Sequence, residues 1–176
     1  MAAQHRFIDP TAGSGGARIA LAPRPMDLAG KTVGLLDNTK EQGELILQTL
    51  GQALRERHGV ARVVIRRKEH YSKPAAEAII NEMANEVQVA IAAVGGCGSC
   101  TVCSLHDTVE FEKRGITATV VITQAFRNAA EFQFRGRGMD GHPYIELPHP
   151  ISNLKPEEMR ALTLGYVDQV MRQLTA

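Results

Sequence analysis

Between residues 31 and 176 the chain alternates short apolar runs with stretches of helical periodicity, and this alternation limits its fold more than any other feature. The apolar runs cover residues 31–36, 60–65, 87–94, 116–123 and 144–147. They are rich in β-branched residues and bounded by glycine, proline or polar turns, as strands are. Strands separated by helices pair in parallel, because each crossover helix brings the chain back to run in the same direction. The expected fold is α/β: a three-layer α/β/α sandwich around a five-stranded parallel, flavodoxin-like sheet. Residues 87–94 have few polar interruptions and are expected at its centre.

The helical stretches carry their own punctuation. Thr39 and Gln42 stand at capping-box spacing, and Leu45, Ile46, Thr49, Leu50, Ala53 and Leu54 recur on one face as far as Gly59. Pro74 suits the first position of a second helix running to about residue 85, with Ala75, Ala78, Ile79 and Met83 inward. A third helix is expected from residue 99 or 100 to 114 with Gly115 as its stop, a fourth over 125–134, and one long helix from Pro156 to the last residues. Residues 1–30 are rich in glycine and proline and read as an extended N-terminal arm, either without fixed structure or packed on a neighbouring protomer. Residues 31–176 read as a single flavodoxin-like domain. Phe126, Phe132 and Phe134 exceed what one helix face buries, so that face and the arm are the expected contacts of a homo-oligomer or a second subunit.

Twenty basic side chains oppose nineteen acidic ones, for a net charge of +1, which lacks the electropositive excess of nucleic-acid binders. No apolar run approaches the ~18 to 20 residues of a membrane span, and the opening residues lack the apolar core of a signal peptide. The expectation is a cytoplasmic protein that binds neither nucleic acid nor membrane. All three cysteines fall within residues 97–103, where they cannot staple distant parts of the fold and instead form a reactive or metal-binding cluster.

That cluster occupies the sequence Gly95-Gly96-Cys97-Gly98-Ser99-Cys100-Thr101-Val102-Cys103, between the third strand and the third helix. A tight strand-to-helix turn aims backbone N–H groups and the positive end of a helix at its occupant, here a thiol. Cysteines in Cys-x-x-Cys motifs at such positions titrate well below the ~8.5 of a free thiol and are nucleophilic near neutral pH. His106 lies three residues after Cys103, with Asp107 and Glu110 able to orient it as a base. His149, held between Pro148 and Pro150 at another strand exit, is the alternative base. Asn38 and Thr39 at the first strand exit, the turn residues Gly96, Gly98, Ser99 and Thr101, and Arg127 are the expected substrate-binding positions.

The motif Cys97-Gly98-Ser99-Cys100, with Thr101, Cys103-Ser104, His106-Asp107, Glu110, residues 112–116, residues 35–40 and Pro148-His149-Pro150, resembles the UGSC family, named for a selenocysteine-Gly-Ser-Cys motif. A narrower likeness connects the turn to the selenoprotein B subunit of glycine and sarcosine reductases. The resemblance implies that Cys97 occupies the selenocysteine position and that Cys100 is its resolving partner. With sulfur in place of selenium, activity depends more on the protein's help in forming the thiolate.

These residues point to a thiol-dependent enzyme or catalytic subunit acting on a small electrophilic substrate, by thiol redox or by reductive or eliminative cleavage of a carbon–heteroatom bond. A Cys-His hydrolase or lyase without redox is the second reading. The third is a metal-binding or partner-binding subunit with structural cysteines, in which Cys97, Cys100, Cys103 and His106 would hold zinc. The glycines match neither a dinucleotide fingerprint nor a phosphate-binding loop, so neither nucleotide nor flavin, and no other cofactor, is expected.

Overall fold

The computed structural model describes residues 18–176. Its elements are β1 (Thr32–Asp37), α1 (Gly43–His58), β2 (Arg62–Arg67), α2 (Glu77–Glu86), β3 (Val89–Gly95), α3 (Gly98–Lys113), β4 (Thr117–Thr123), α4 (Arg127–Gly136), β5 (Ile145–Leu147), α5 (Pro156–Leu164) and α6 (Val167–Leu174). The strands form one parallel sheet in the order β2-β1-β3-β4-β5. The α/β fold and its flavodoxin-like order are those the alternation predicts.

Successive strand residues point to opposite faces, which divides the core in two. Val33, Leu35, Val89, Ile91 and Val121 pack against α1, α5 and α6. Leu36, Ala90, Ala92, Val120 and Ile122 pack against α2, α3 and α4. Every residue of β3 and β4 is buried, as parallel strands covered on both faces require.

Three local expectations are corrected. The first helix does not begin at Thr39: Asp37 Oδ1 accepts the N–H of Thr39 and Asn38 Oδ1 that of Lys40, while Thr39 and Gln42 sit at φ 69° and 70°. These Asx bonds to the backbone two residues on outcompete the capping box, and α1 starts only at Gly43. The second helix starts at Glu77, not Pro74, because Asp107 Oδ1 takes the N–H of Ala75 at 2.8 Å and holds that stretch as loop; Ala78 is exposed, and Ile80 and Met83 carry the packing. The long terminal helix is two, broken at Gly165 and Tyr166, whose N–H groups bond back three residues to Leu162 and Thr163.

Residues 18–30 run along the chain's own domain. Ile19 N bonds Gly138 O, Ala22 N donates to Glu112 Oε2 at 2.7 Å, and Pro25 O accepts the N–H of Ala176. The rest of the expected arm lies outside the described residues. On α4, Phe134 is buried and Phe132 remains 71% exposed. Among the described residues no helix is long and apolar enough to cross a membrane.

Candidate functional site

After β1 the chain moves outward to β2 and then crosses back over β1 to β3, so the direction of strand order reverses between β1 and β3. Ligand sites of doubly wound sheets lie beyond the carboxyl ends of the strands at such a reversal. Asn38 leaves β1 there and Gly96-Cys97 leaves β3. Asn38 ties the two exits together: its N–H bonds Ala93 O, and its amide Nδ2 donates to Val94 O and to Ser104 Oγ, both at 2.9 Å. Expected to face a substrate, its amide group is instead 1% exposed and spent on the fold. Thr39, half-buried, gives its N–H to Asp37.

Cys97 is the N-cap of the sixteen-residue α3. Its Sγ accepts the N–H of Cys100 at 3.2 Å, and its own N–H points at Cys100 Sγ at 2.7 Å, so the two cysteines form a reciprocal capping box. The two sulfurs are in direct contact, and the Cα atoms are 5.3 Å apart, inside the span of roughly 4.4–6.8 Å that disulfides bridge. Cys97 is partly exposed, whereas Cys100 is fully buried. Only Cys97 can meet a molecule arriving from solvent.

The turn around Cys97 is open by construction. A Cβ at Gly96 or Gly98 would meet nothing within 4 Å, and Ser99 is exposed with its hydroxyl 3.7 Å from Cys97 Sγ. Gly95 is different: a Cβ there would fall 2.7 Å from Thr101 Oγ1 and 2.8 Å from Ile122 Cγ2, so glycine is what lets β3 meet α3 and β4 this closely. Thr101 is fully buried and donates its hydroxyl to Cys97 O at 2.7 Å, which fixes the turn and keeps the side chain away from solvent.

His106 does not join this group. It lies nine residues beyond Cys97 on one helix, about 13 Å along the axis at ~1.5 Å per residue. Its Nδ1 stands 3.3 Å from Arg137 Nη1, and burial together with that guanidinium pulls its pKa below the ordinary histidine value. The expected orienters are engaged elsewhere. Asp107 forms a buried ion pair with Lys68 at 2.6 Å, and Glu110 binds Lys113 and Arg114. Cys103 is buried, and desolvation pushes its thiol above the usual range against the opposing influence of Lys68. Zinc bonds of ~2.0–2.3 Å cannot gather ligands strung from residue 97 to 106 along a continuous helix. Among the described residues no cluster of histidine, cysteine or carboxylate side chains is arranged for a metal.

His149 stands at the same edge of the sheet as the cysteine turn. Its Nδ1 is 3.0 Å from Thr123 Oγ1, and that hydroxyl lies 3.3 Å from Gly95 O, two residues before Cys97. Phe126 packs edge-on against the ring, with centroids 5.8 Å apart. Sequence reasoning missed Thr123, which ends a β-branched run and reads only as strand; its signal is its place at the strand exit beside Pro148-His149-Pro150. Arg127 is exposed, and its guanidinium is held by both carboxylate oxygens of Glu146, which raise its pKa.

The UGSC family model matches residues 6–176. Among solved structures, the chain is similar to a diflavin flavoprotein A3 from Nostoc sp., at 13% identity and a TM-score of 0.42, over 82% of this chain and 96% of that one. No curated protein matches the sequence.

Proposed function

The chain belongs to the UGSC family, and from that membership and the geometry of the turn we propose a thiol-dependent enzyme in which Cys97 attacks a small electrophilic substrate. The observation that carries this reading is the position of Cys97 as a partly exposed N-cap whose sulfur accepts a backbone N–H. A thiolate there gains from the hydrogen bond and from the helix dipole, both of which favour the charged form. Cys100, buried and in contact with Cys97, is placed to react with Cys97 and with nothing in solvent.

With a disulfide as substrate the sequence of steps balances. Cys97 thiolate attacks one substrate sulfur and expels the other as a thiolate. Cys100, after losing its proton, attacks Cys97 Sγ and expels the second substrate thiolate, leaving a Cys97–Cys100 disulfide. Two electrons pass from the cysteine pair to the substrate, and an external dithiol returns them. Cleavage of a carbon–heteroatom bond begins with the same attack. A reading without redox, in which Cys97 and a histidine act as hydrolase or lyase, draws support from His149 at the same edge of the sheet, beyond the exit of β5.

An aromatic disulfide that releases a coloured thiol tests the proposal. Cys97→Ser is expected to abolish release while the fold is retained. Cys100→Ser is expected to release a single thiol and remain as a mixed disulfide at Cys97, identifiable by mass. Undiminished release from Cys97→Ser would contradict the reading, and full turnover by Cys100→Ser would show that Cys100 is not the resolving thiol.

A further inference from the structure

We propose that Thr123 is a positioning residue that holds the His149 ring with its proton on Nδ1, leaving Nε2 as the proton acceptor beside the cysteine turn. The proposal rests on the reading of Cys97 as nucleophile and adds to it a base held ready at the same edge of the sheet.

The polarity of the hydrogen-bond chain carries the inference. Gly95 O is a carbonyl and can only accept, so the Thr123 hydroxyl, 3.3 Å away, donates its one proton to it. With that proton on the carbonyl, the Thr123 oxygen faces His149 Nδ1 at 3.0 Å with its lone pairs, and this polarity points to the ring nitrogen as the donor. Nδ1–H fixes the neutral ring as the tautomer whose Nε2 is unprotonated. Thr123 is fully buried at the end of β4, so water does not compete for its hydroxyl, whereas His149 is exposed.

This arrangement serves the ring in both of its charge states. When Nε2 takes a proton, the imidazolium still donates from Nδ1 to the same hydroxyl. The opposite polarity, with Thr123 donating to Nδ1, would leave two protons facing each other if that nitrogen became protonated. The edge-on contact with Phe126 supports the ring from a second direction.

The test reads the tautomer directly, by nitrogen-15 NMR of histidine-labelled protein at a pH where the ring is neutral, with His149→Gln to assign the signal. The expected spectrum shows His149 protonated on Nδ1, the opposite of the form that free histidine prefers. Thr123→Val, close in shape but without the hydroxyl, is expected to return the ring to the Nε2–H form and to slow alkylation of Cys97. Thr123→Ser is expected to restore both. A wild-type ring protonated on Nε2, or a tautomer unchanged in Thr123→Val, would overturn the proposal. Should Thr123→Val fail to fold, the wild-type spectrum alone decides. The tautomer is read independently of thiol reactivity. An Nδ1–H ring with an inert Cys97 would therefore count against the nucleophile reading while leaving the role of Thr123 in setting the tautomer intact.

Discussion

Glu112 shows what a single side chain does for this fold. Its carboxylate has no exposed surface and receives Arg24, His142 and the N–H groups of Ala22 and Ala118. Burial alone would raise its pKa, but those hydrogen bonds outweigh it and hold the group at about 2 against an ordinary 4.5. A carboxylate depressed in this way stabilises the fold fully above its ordinary range, and that contribution disappears as the pH falls from 4.5 toward 2. Glu112→Gln is expected to cost about 3–5 kcal/mol in urea unfolding at neutral pH. The gap from wild type should narrow as the pH falls through that window, and a constant gap would count against the assignment. At this scale the sequence was legible where chemistry is contiguous. Cys97 and Cys100 sit three residues apart, and the capping geometry that makes Cys97 the reachable thiol is local. Asn38 reads as substrate-binding in sequence because its partners, Val94 and Ser104, are 56 and 66 residues away. Proximity in sequence suggests pairing His106 with Asp107, yet adjacent residues of a helix point to different sides, and Asp107 turns inward to Lys68.

Among the elements, α3 is the one that joins the site to the rest of the molecule. Its N-terminus holds Cys97, its middle holds Asp107, and its last turn holds Glu112. The Lys68–Asp107 pair, with side chains 1% and 2% exposed, ties α3 to the segment leaving β2, and Asp107 also fixes Ala75 at the end of that same connection, just before α2. Removing one partner leaves an uncompensated buried charge, so Lys68→Met or Asp107→Leu alone is expected to cost about 3–5 kcal/mol. Lys68→Met combined with Asp107→Leu is expected to recover much of that loss, because both charges are gone. Denaturation of the singles and the double in one cycle checks this, and strict additivity would show that the pair is not coupled. Strands and helices themselves were legible from periodicity, since every strand contains a short apolar or β-branched run, even the arginine-flanked β2, and every helix carries a buried stripe. The errors fall where a side chain competes with the backbone pattern, at Asp37 and Asn38 before α1 and at Asp107 before α2, or where a glycine sits at a break between two helices, at Gly165.

At the scale of the whole molecule, the sheet order places the cysteine turn at the reversal between β1 and β3, and two partly separate cores hold the strands that aim it. Residues 18–30 then bind the far end of the fold, linking Gly138, Glu112 and the C-terminal Ala176. The order β2-β1-β3-β4-β5 was expected from alternation alone, because right-handed crossovers leave few ways to arrange five parallel strands. The course of the N-terminal segment was not legible, because its anchors to the far end of the fold are backbone groups and an arginine whose partners lie 88 residues away or more. The central claim is that this architecture turns Cys97 into an activated nucleophile. The measurement that tests it most directly is the alkylation rate of each cysteine against pH in freshly reduced protein, resolved by peptide mass spectrometry. The expected result is that Cys97 reacts fastest, with a midpoint clearly below the ~8.5 of a free thiol, while Cys100 and Cys103 are protected by burial. If Cys97 stays inert until the protein unfolds, or titrates like an unperturbed thiol, the turn is a structural cap and the proposed chemistry does not occur there.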